Sequence, residues 1–424
     1  METIFALSSG SPPAGIAVIR VSGPRAGEAL IGLAGSVPKP RHAGLRHFRD
    51  AKGQLLDTGL ALWFPGPDTA TGEDLAEFHL HGGRAVVAAV EAALGAIGGL
   101  RPAQPGEFTR RAFANGRIDL AEAEGLADLL AAETEWQRRA AMELASGSFS
   151  GRLEGWRERL LQLAAEVEAA LDFDDEDDVS GLREGFAADV AALGHEIGEA
   201  ADAPRAEALR EGYRVALAGP PNAGKSTLFN ALIDSEAAIT SSVPGTTRDV
   251  IERSVALGGA PFTFVDMAGL RDEGAEEIET IGIERARGEL GRADLVLWLG
   301  PEGEGPDNAW EIEAQADRAR HAAKRDPHYR LSAVTGEGMA ELRAALLGQA
   351  RAAMRAPGKT ALHRRQRELL AQAAAALAGA AGQGDLLLLA EQLRQARLAF
   401  DALIGRSATE DMLDTLFGRF CIGK

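Results

Sequence analysis

One short stretch limits the choice of fold more than any other: VALAGPPNAGKSTLFNAL, residues 215–232. Between Gly219 and Ser226 it matches G-x-x-x-x-G-K-[ST], preceded by strand-like VALAG and followed by helical STLFNALI. A strand that ends in such a loop, with a helix opening from it, turns several backbone N–H groups toward one point and holds a phosphate there. Glycine at 219 and 224 lets the backbone approach without Cβ clashes, Lys225 neutralises the outer phosphates, and the Ser226 hydroxyl suits Mg²⁺. The candidate phosphate-facing residues are therefore Asn222, Ala223, Gly224, Lys225, Ser226 and Thr227.

Such a loop needs a sheet beneath it. Between residues 213 and 347 the runs YRVALAG, DVIERSVAL, PFTFVDMAG, ADLVLWLG, AWEIEAQA and YRLSA alternate with helix or loop signals, the pattern of a doubly wound α/β unit. Asp266-Met267-Ala268-Gly269 supports the assignment, since a strand ending in Asp puts a carboxylate near Mg²⁺ and Gly269 can present an N–H to the γ-phosphate. Gly245-Thr246-Thr247-Arg248-Asp249 lies between the two motifs and reads as a switch segment.

The base-reading element departs from the common pattern. A guanine reader of this class usually carries N-K-x-D, whose Asp accepts from guanine N1–H and the 2-amino group. The nearest counterpart is Ala314-Gln315-Ala316-Asp317, with Ser332-Ala333-Val334 as the S-A-x loop backing the base. Asp317 keeps the discriminating carboxylate while the supporting Asn and Lys are lost, so guanine preference with weakened affinity is expected, and an ATPase stays an alternative. Leu270 stands where a water-orienting Gln often follows D-x-x-G. Glu276, Glu277 and Glu279 in the following segment are candidates for that role, and no arginine finger can be assigned.

The flanks read differently. From Thr3 to about Gly116, β-rich runs such as GIAVIRVSG surround one alanine-rich helix at 84–94, a small α/β domain. Residues 118–209 carry apolar residues at three- and four-residue spacing, as in RLEGWRERLLQLAAEVEAAL, and helical text returns after 348. The expected layout is an N-terminal α/β domain (1–117), a helical domain in two parts (118–209 and 349–424) and a P-loop domain (210–348) inserted between them. The acidic run DFDDEDD (172–178) reads as a solvated helix end or loop, with the lining of a functional cleft as the alternative.

A net charge of −18 argues against a protein coated in positive charge for nonspecific nucleic-acid binding, without excluding a local RNA-binding face. The single cysteine, Cys421, cannot form an internal disulfide. METIFALSSGSPPAG lacks a basic start and an apolar signal core, and the alanine-rich stretch at 373–382 reads as a buried helix, not a membrane span; a cytoplasmic protein is expected.

Several stretches together carry a resemblance. GPPNAGKSTLFNAL, GTTRD, DMAGLR followed by ETIGIERA, the terminal FCIGK, TGEDLAEFHLHGG (71–83) and PGEFTRRAFANGRIDLAEAE (105–124) resemble the tRNA-modifying GTPase family MnmE, also called TrmE, over essentially the whole chain. The resemblance implies a tetrahydrofolate-binding N-terminal domain that forms a homodimer, a central helical domain and an inserted Ras-like GTPase domain. It implies work with a FAD-containing partner of the MnmG or GidA type on C5 of the wobble uridine of tRNA. The one-carbon unit would come from a tetrahydrofolate derivative, 5-formyl or 5,10-methylene, and GTP hydrolysis would drive conformational change.

Carried over residue by residue, the resemblance makes Asn222 a K⁺ ligand, with Ser241, Val243 and Thr246 completing the site, and the loop Ser241, Ser242, Val243, Pro244, Gly245, Thr246 and Thr247 the first switch. The cation would sit where an arginine finger places its charge. Glu279 matches the hydrolytic glutamate and Thr247 the switch threonine on Mg²⁺. The folate positions fall on Arg20, Glu77, Arg117 and Lys424; Arg117 stands where lysine is often found, which keeps the charge and changes the geometry. Cys421 matches the cysteine of a C-[IL]-G-K ending, with a thiol role in the chemistry or a small buried hydrophobe as the two readings. DMAG stands where the family has DTAG. A GTP-dependent assembly switch without a part in the RNA chemistry is the competing class of function.

Overall fold

The computed structural model describes residues 2–172, 182–203, 205–234, 251–267, 288, 290–318, 323–354, 361–407 and 409–424. Contacts divide the chain into two compact units, one formed by 1–127, 150–157 and 397–424, the other by 128–149 and 158–396. The acidic run lies outside the described residues beyond Asp172.

The first unit is built on a six-stranded sheet in the order β3-β4-β5-β2-β1-β6, from β1 (Thr3–Leu7), β2 (Ala14–Ser22), β3 (Gly44–Arg49), β4 (Leu55–Phe64), β5 (Leu75–Gly82) and β6 (Leu100–Pro102). Strand alternation decides what each face does. Ala17, Ile19 and Val21 of β2 are fully buried with Phe48, Phe78, Leu30, Val90 and Leu94, whereas Val18 and Arg20 point to the other face and stay partly open. The helix expected at 84–94 is α2 (Arg84–Gly95), but it is not the only one: α1 (Ala26–Ala34) and α3 (Glu107–Ala114) also form. The short α1, AGEALIGLA, carries two glycines that dilute its helical signal, and burial of Leu30 and Leu33 is what holds it.

The chain end returns to this unit. Helix α4 (Leu120–Ala131) is capped reciprocally by Asp119 and Glu122, each accepting from the other's backbone N–H. Its Leu120 packs with Phe417 and Phe420 at the end of α13 (Glu410–Phe417). Gly423 follows with φ +92, and a Cβ there would lie 1.9 Å from the Leu7 carbonyl oxygen, so only glycine lets the tail pass the end of β1.

The second unit holds the helices α5 (Glu135–Ala145), α7 (Phe186–Ala201), α8 (Ala206–Glu211), α9 (Lys225–Asp234), α10 (Met339–Ala353) and α11 (Arg364–Ala381); α4, α6 (Ser148–Asp172) and α12 (Leu386–Leu403) run across the division. Its sheet has the order β12-β11-β10-β7-β9-β8, from β7 (Tyr213–Ala218), β8 (Ile251–Leu257), β9 (Ala260–Asp266), β10 (Leu295–Trp298), β11 (Trp310–Glu313) and β12 (Tyr329–Arg330). All neighbours pair in parallel except β8 and β9. The alanine-rich 373–382 belongs to α11, whose Ala373, Ala376, Leu377 and Ala380 are buried. Among the described residues no helix is long and apolar enough to cross a membrane.

Candidate functional site

Parallel strands send all their following loops to one sheet edge, and the phosphate loop is placed by that rule. Leu217 of β7 stands in register with Asp266 of β9 on one side and Leu297 of β10 on the other. The loops after β7, β9, β11 and β12, which carry the sequence-predicted residues, therefore share the carboxyl edge. Antiparallel β8 enters at the same edge, since Ile251 pairs with Asp266.

At that edge the Ser226 hydroxyl donates to Asp266 Oδ2 at 2.9 Å. Asp266 is 2% exposed, at the end of a strand buried along its whole length. A hydroxyl and a carboxylate at this separation form a hard-oxygen pair that fits Mg²⁺. Lys225 is 6% exposed and donates to the carbonyls of Gly219 (3.0 Å) and Pro220 (2.8 Å), so its ammonium is folded against the loop it serves. Asn222 adopts a left-handed backbone, φ 63, which asparagine tolerates better than most residues. Of the proposed K⁺ ligands only Asn222 is described, and its carboxamide oxygen fits a monovalent cation. Ser241, Ser242, Val243, Pro244, Gly245, Thr246, Thr247, Ala268, Gly269 and Glu279 lie outside the described residues. Met267 is buried among Ala216, Ala218, Val265 and Val296, where its side chain serves packing.

The two base-side segments meet. Ser332, fully buried after β12, donates from its hydroxyl to Asp317 Oδ1 at 2.6 Å. The same hydroxyl accepts from the Thr335 N–H at 3.1 Å, fixing its direction. Asp317 is thus held at the surface with its carboxylate oriented, as a reader of a donor pair on a base requires. Ala333 is partly buried and Val334 is exposed. Sequence reasoning missed Gln315, whose amide reaches the Asn222 carbonyl at 3.2 Å. Its only trace was its place in the degraded base motif.

In the first unit Arg20 and Glu77 are register partners on β2 and β5. The Arg20 guanidinium donates to Glu77 Oε1 from Nε (3.2 Å) and Nη2 (2.9 Å), and lies over the Phe108 ring, 6.0 Å from its centre. His79, two residues on and hence on the same face, places Nε2 3.1 Å from Glu77 Oε2. The hydrogen bond to His79 leads in holding the Glu77 carboxyl below the usual range; burial opposes it and the Arg20 bond adds to it. His79 and Phe108 were not singled out from sequence, although the spacing of His79 from Glu77 was visible. Arg117 lies apart, paired with Asp68 at 3.3 Å and against Gly72. Lys424 ends the tail that Gly423 seats on Leu7, and Leu7 follows Ala6, the register partner of Arg20. The structure therefore joins Arg20 to Glu77, seats Lys424 beside β1, and sets Arg117 on the 66–72 loop. Cys421 is exposed, which removes its reading as a buried hydrophobe: Phe420 takes the buried position instead.

Relatives give this pair of sites a context. The family model for the GTP-binding protein TrmE N-terminus matches residues 3–117, and that for the MnmE helical domain matches 120–421. The tRNA modification GTPase MnmE of Erythrobacter litoralis (strain HTCC2594) is 62% identical over 424 residues, with 100% of both chains covered. The chain belongs to the tRNA modification GTPase MnmE family. An MnmE relative from Novosphingobium aromaticivorans is 61% identical, and one from Zymomonas mobilis subsp. mobilis 48%, each over 435 residues with 100% of both chains covered. Among solved structures, the G domain of the T. maritima FeoB iron transporter aligns with 32% of this chain and 98% of its own, at 27% identity and a TM-score of 0.24. Membership in the MnmE family rests on the full-length relatives, and it covers both units of the chain.

Proposed function

We propose that the chain is a K⁺-activated GTPase that, as a homodimer and with a FAD-containing partner, modifies C5 of the wobble uridine of tRNA using a tetrahydrofolate one-carbon unit. The observation that carries this reading is the Ser226–Asp266 pair at the mouth of a P-loop, in a chain matched end to end by MnmE relatives. Backbone N–H groups after Gly219 and the Lys225 ammonium hold the β- and γ-phosphates. Ser226 and Thr247 would hold Mg²⁺, with Asp266 beside Ser226, and the ion would supply charge neutralisation for the phosphates. Asn222, Ser241, Val243 and Thr246 would hold K⁺, which would supply the positive charge that an arginine finger otherwise brings. Glu279 orients the attacking water, and Asp317 accepts from the guanine edge.

The folate half of the reading draws support from Glu77. Its ionised carboxylate faces the open side of the sheet and accepts hydrogen bonds from the donor edge of a pterin, while Arg20, Arg117 and Lys424 meet its carbonyls or the glutamate tail. Phosphate release from GTP and ATP, compared in KCl and NaCl, tests the nucleotide and the cation together. GTP turnover in KCl should exceed the other three conditions; equal rates in the two salts would remove the cation role of Asn222. Nucleosides from the tRNA of a deletion strain should lack the C5 substituent at the wobble position, and an unchanged nucleoside profile would overturn the RNA assignment.

A further inference from the structure

On the open face of the first unit's sheet, β5 presents Glu77, His79 and His81 in turn, since alternate residues of a strand share a face. Its two imidazoles are committed differently. His81 is taken by Asp57 of β4, which accepts the His81 backbone N–H at 2.8 Å and stands 2.8 Å from its Nδ1. His79 has apolar register partners, Val18 on β2 and Leu60 on β4, and its ring reaches along the strand to bring Nε2 within 3.1 Å of Glu77 Oε2. Facing a carboxylate, Nε2 carries the proton. A carboxylate has about four acceptor sites, two on each oxygen. Arg20 occupies Oε1 through both Nε and Nη2, and His79 takes one side of Oε2. Among the described residues this leaves Oε2 as the oxygen with room for a ligand N–H.

We infer that His79 is a positioning residue for folate: it holds Oε2 of Glu77 from one side, so that the open side of that oxygen is turned to an N–H of the pterin. This rests on the proposal that Glu77 receives the pterin edge. A grip on Oε1 alone, from Arg20, leaves the other oxygen able to swing. A second donor on Oε2 removes that freedom before the ligand arrives, and a preset acceptor lowers the ordering cost of binding. The His79 bond also leads in keeping the carboxyl ionised, and an ionised acceptor makes the stronger hydrogen bond. The corner therefore accepts a ring N–H or an amino group and repels a ligand that presents an acceptor there.

The test uses the full chain with His79→Leu, His79→Gln and, separately, Glu77→Gln. Affinity for 5-formyltetrahydrofolate is read by titration calorimetry at neutral pH, with the unfolding temperature alongside. His79→Leu removes the donor and sets an apolar side chain between Val18 and Leu60, so the sheet keeps its packing. Binding should weaken about fivefold, the scale of one hydrogen bond's net worth. His79→Gln offers an amide N–H in place of the imidazole Nε2 and should return binding close to that of the unaltered chain. Unchanged or tighter binding in His79→Leu, with Glu77→Gln weakening it, overturns the role of His79 and leaves the folate face standing. Equal losses in His79→Leu and His79→Gln also overturn it, since the ring rather than its donor would then be at stake. If Glu77→Gln leaves affinity unchanged, the folate reading fails and the role of His79 with it.

Discussion

Glu77 is the residue on which the proposed folate face turns, because one carboxylate serves two donors on neighbouring positions of a sheet. Its folded pKa lies below the ordinary 4.5, so the ionised form is favoured by folding. A depressed carboxyl contributes stability that is present above the unfolded value and lost as pH falls through the folded one. Glu77→Gln should therefore destabilise the protein by about 1–3 kcal/mol near neutrality, the usual worth of charged hydrogen bonds. The gap between the two proteins should close as pH drops below 4.5. Urea unfolding at pH 7 and in the acid range measures this directly; a gap that widens on acidification would contradict the pairing. The same variant should weaken binding of 5-formyltetrahydrofolate, read by titration at neutral pH, where the unaltered carboxylate is charged.

Among the described helices, α7 and α11 pack together most extensively, and small residues permit it. A Cβ on Gly194 would lie 3.1 Å from Leu377 Cβ, tighter than a relaxed contact, whereas one on Gly198 would meet Ala374 Cβ at 3.9 Å. Gly194→Val should destabilise by about 1–3 kcal/mol through overpacking. Gly198→Ala, one turn away, should be neutral or stabilise by about 0.5–1 kcal/mol, since alanine gains helix propensity without a clash. Thermal unfolding of both variants reads the difference, and shifts of the same sign would mean that the helices do not approach so closely. This interface also shows where the sequence was legible. The alanine run at 373–382 announced a buried helix from its own composition, and the P-loop announced strand, turn and helix within eighteen residues, because those patterns are local. The face α11 buries, the bond from Gln315 to Asn222 and the pairing of Arg20 with Glu77 are set by register and packing between distant segments, which composition does not encode. Helix α1 went unread for a related reason: its glycines depress propensity, and burial of Leu30 and Leu33 overrides them.

On the scale of the molecule, the two candidate chemistries share no residues. All described nucleotide-site residues fall between 158 and 396, while Arg20, Glu77, Arg117, Cys421 and Lys424 fall in the unit made from both chain ends. The chain passes between the units four times, after residues 127, 149, 157 and 396, so the phosphate loop is inserted in sequence between halves of the other unit. If GTP turnover is local to one unit and one-carbon chemistry to the other, a lesson at the tail should separate them. Removing Ile422, Gly423 and Lys424 takes away the residue that seats the tail on Leu7 and a proposed folate ligand, and changes no residue of the unit that carries the P-loop. Intrinsic GTP turnover should stay within about twofold, as expected for changes at sites that share no partners. Affinity for 5-formyltetrahydrofolate should fall, and wobble-uridine modification should be lost when the shortened chain replaces the full one in cells. Phosphate release and tRNA nucleosides measured on the same variant give the answer: a parallel loss of both would mean that the tail supports the nucleotide site, and that hydrolysis and modification are not divided as the chain is.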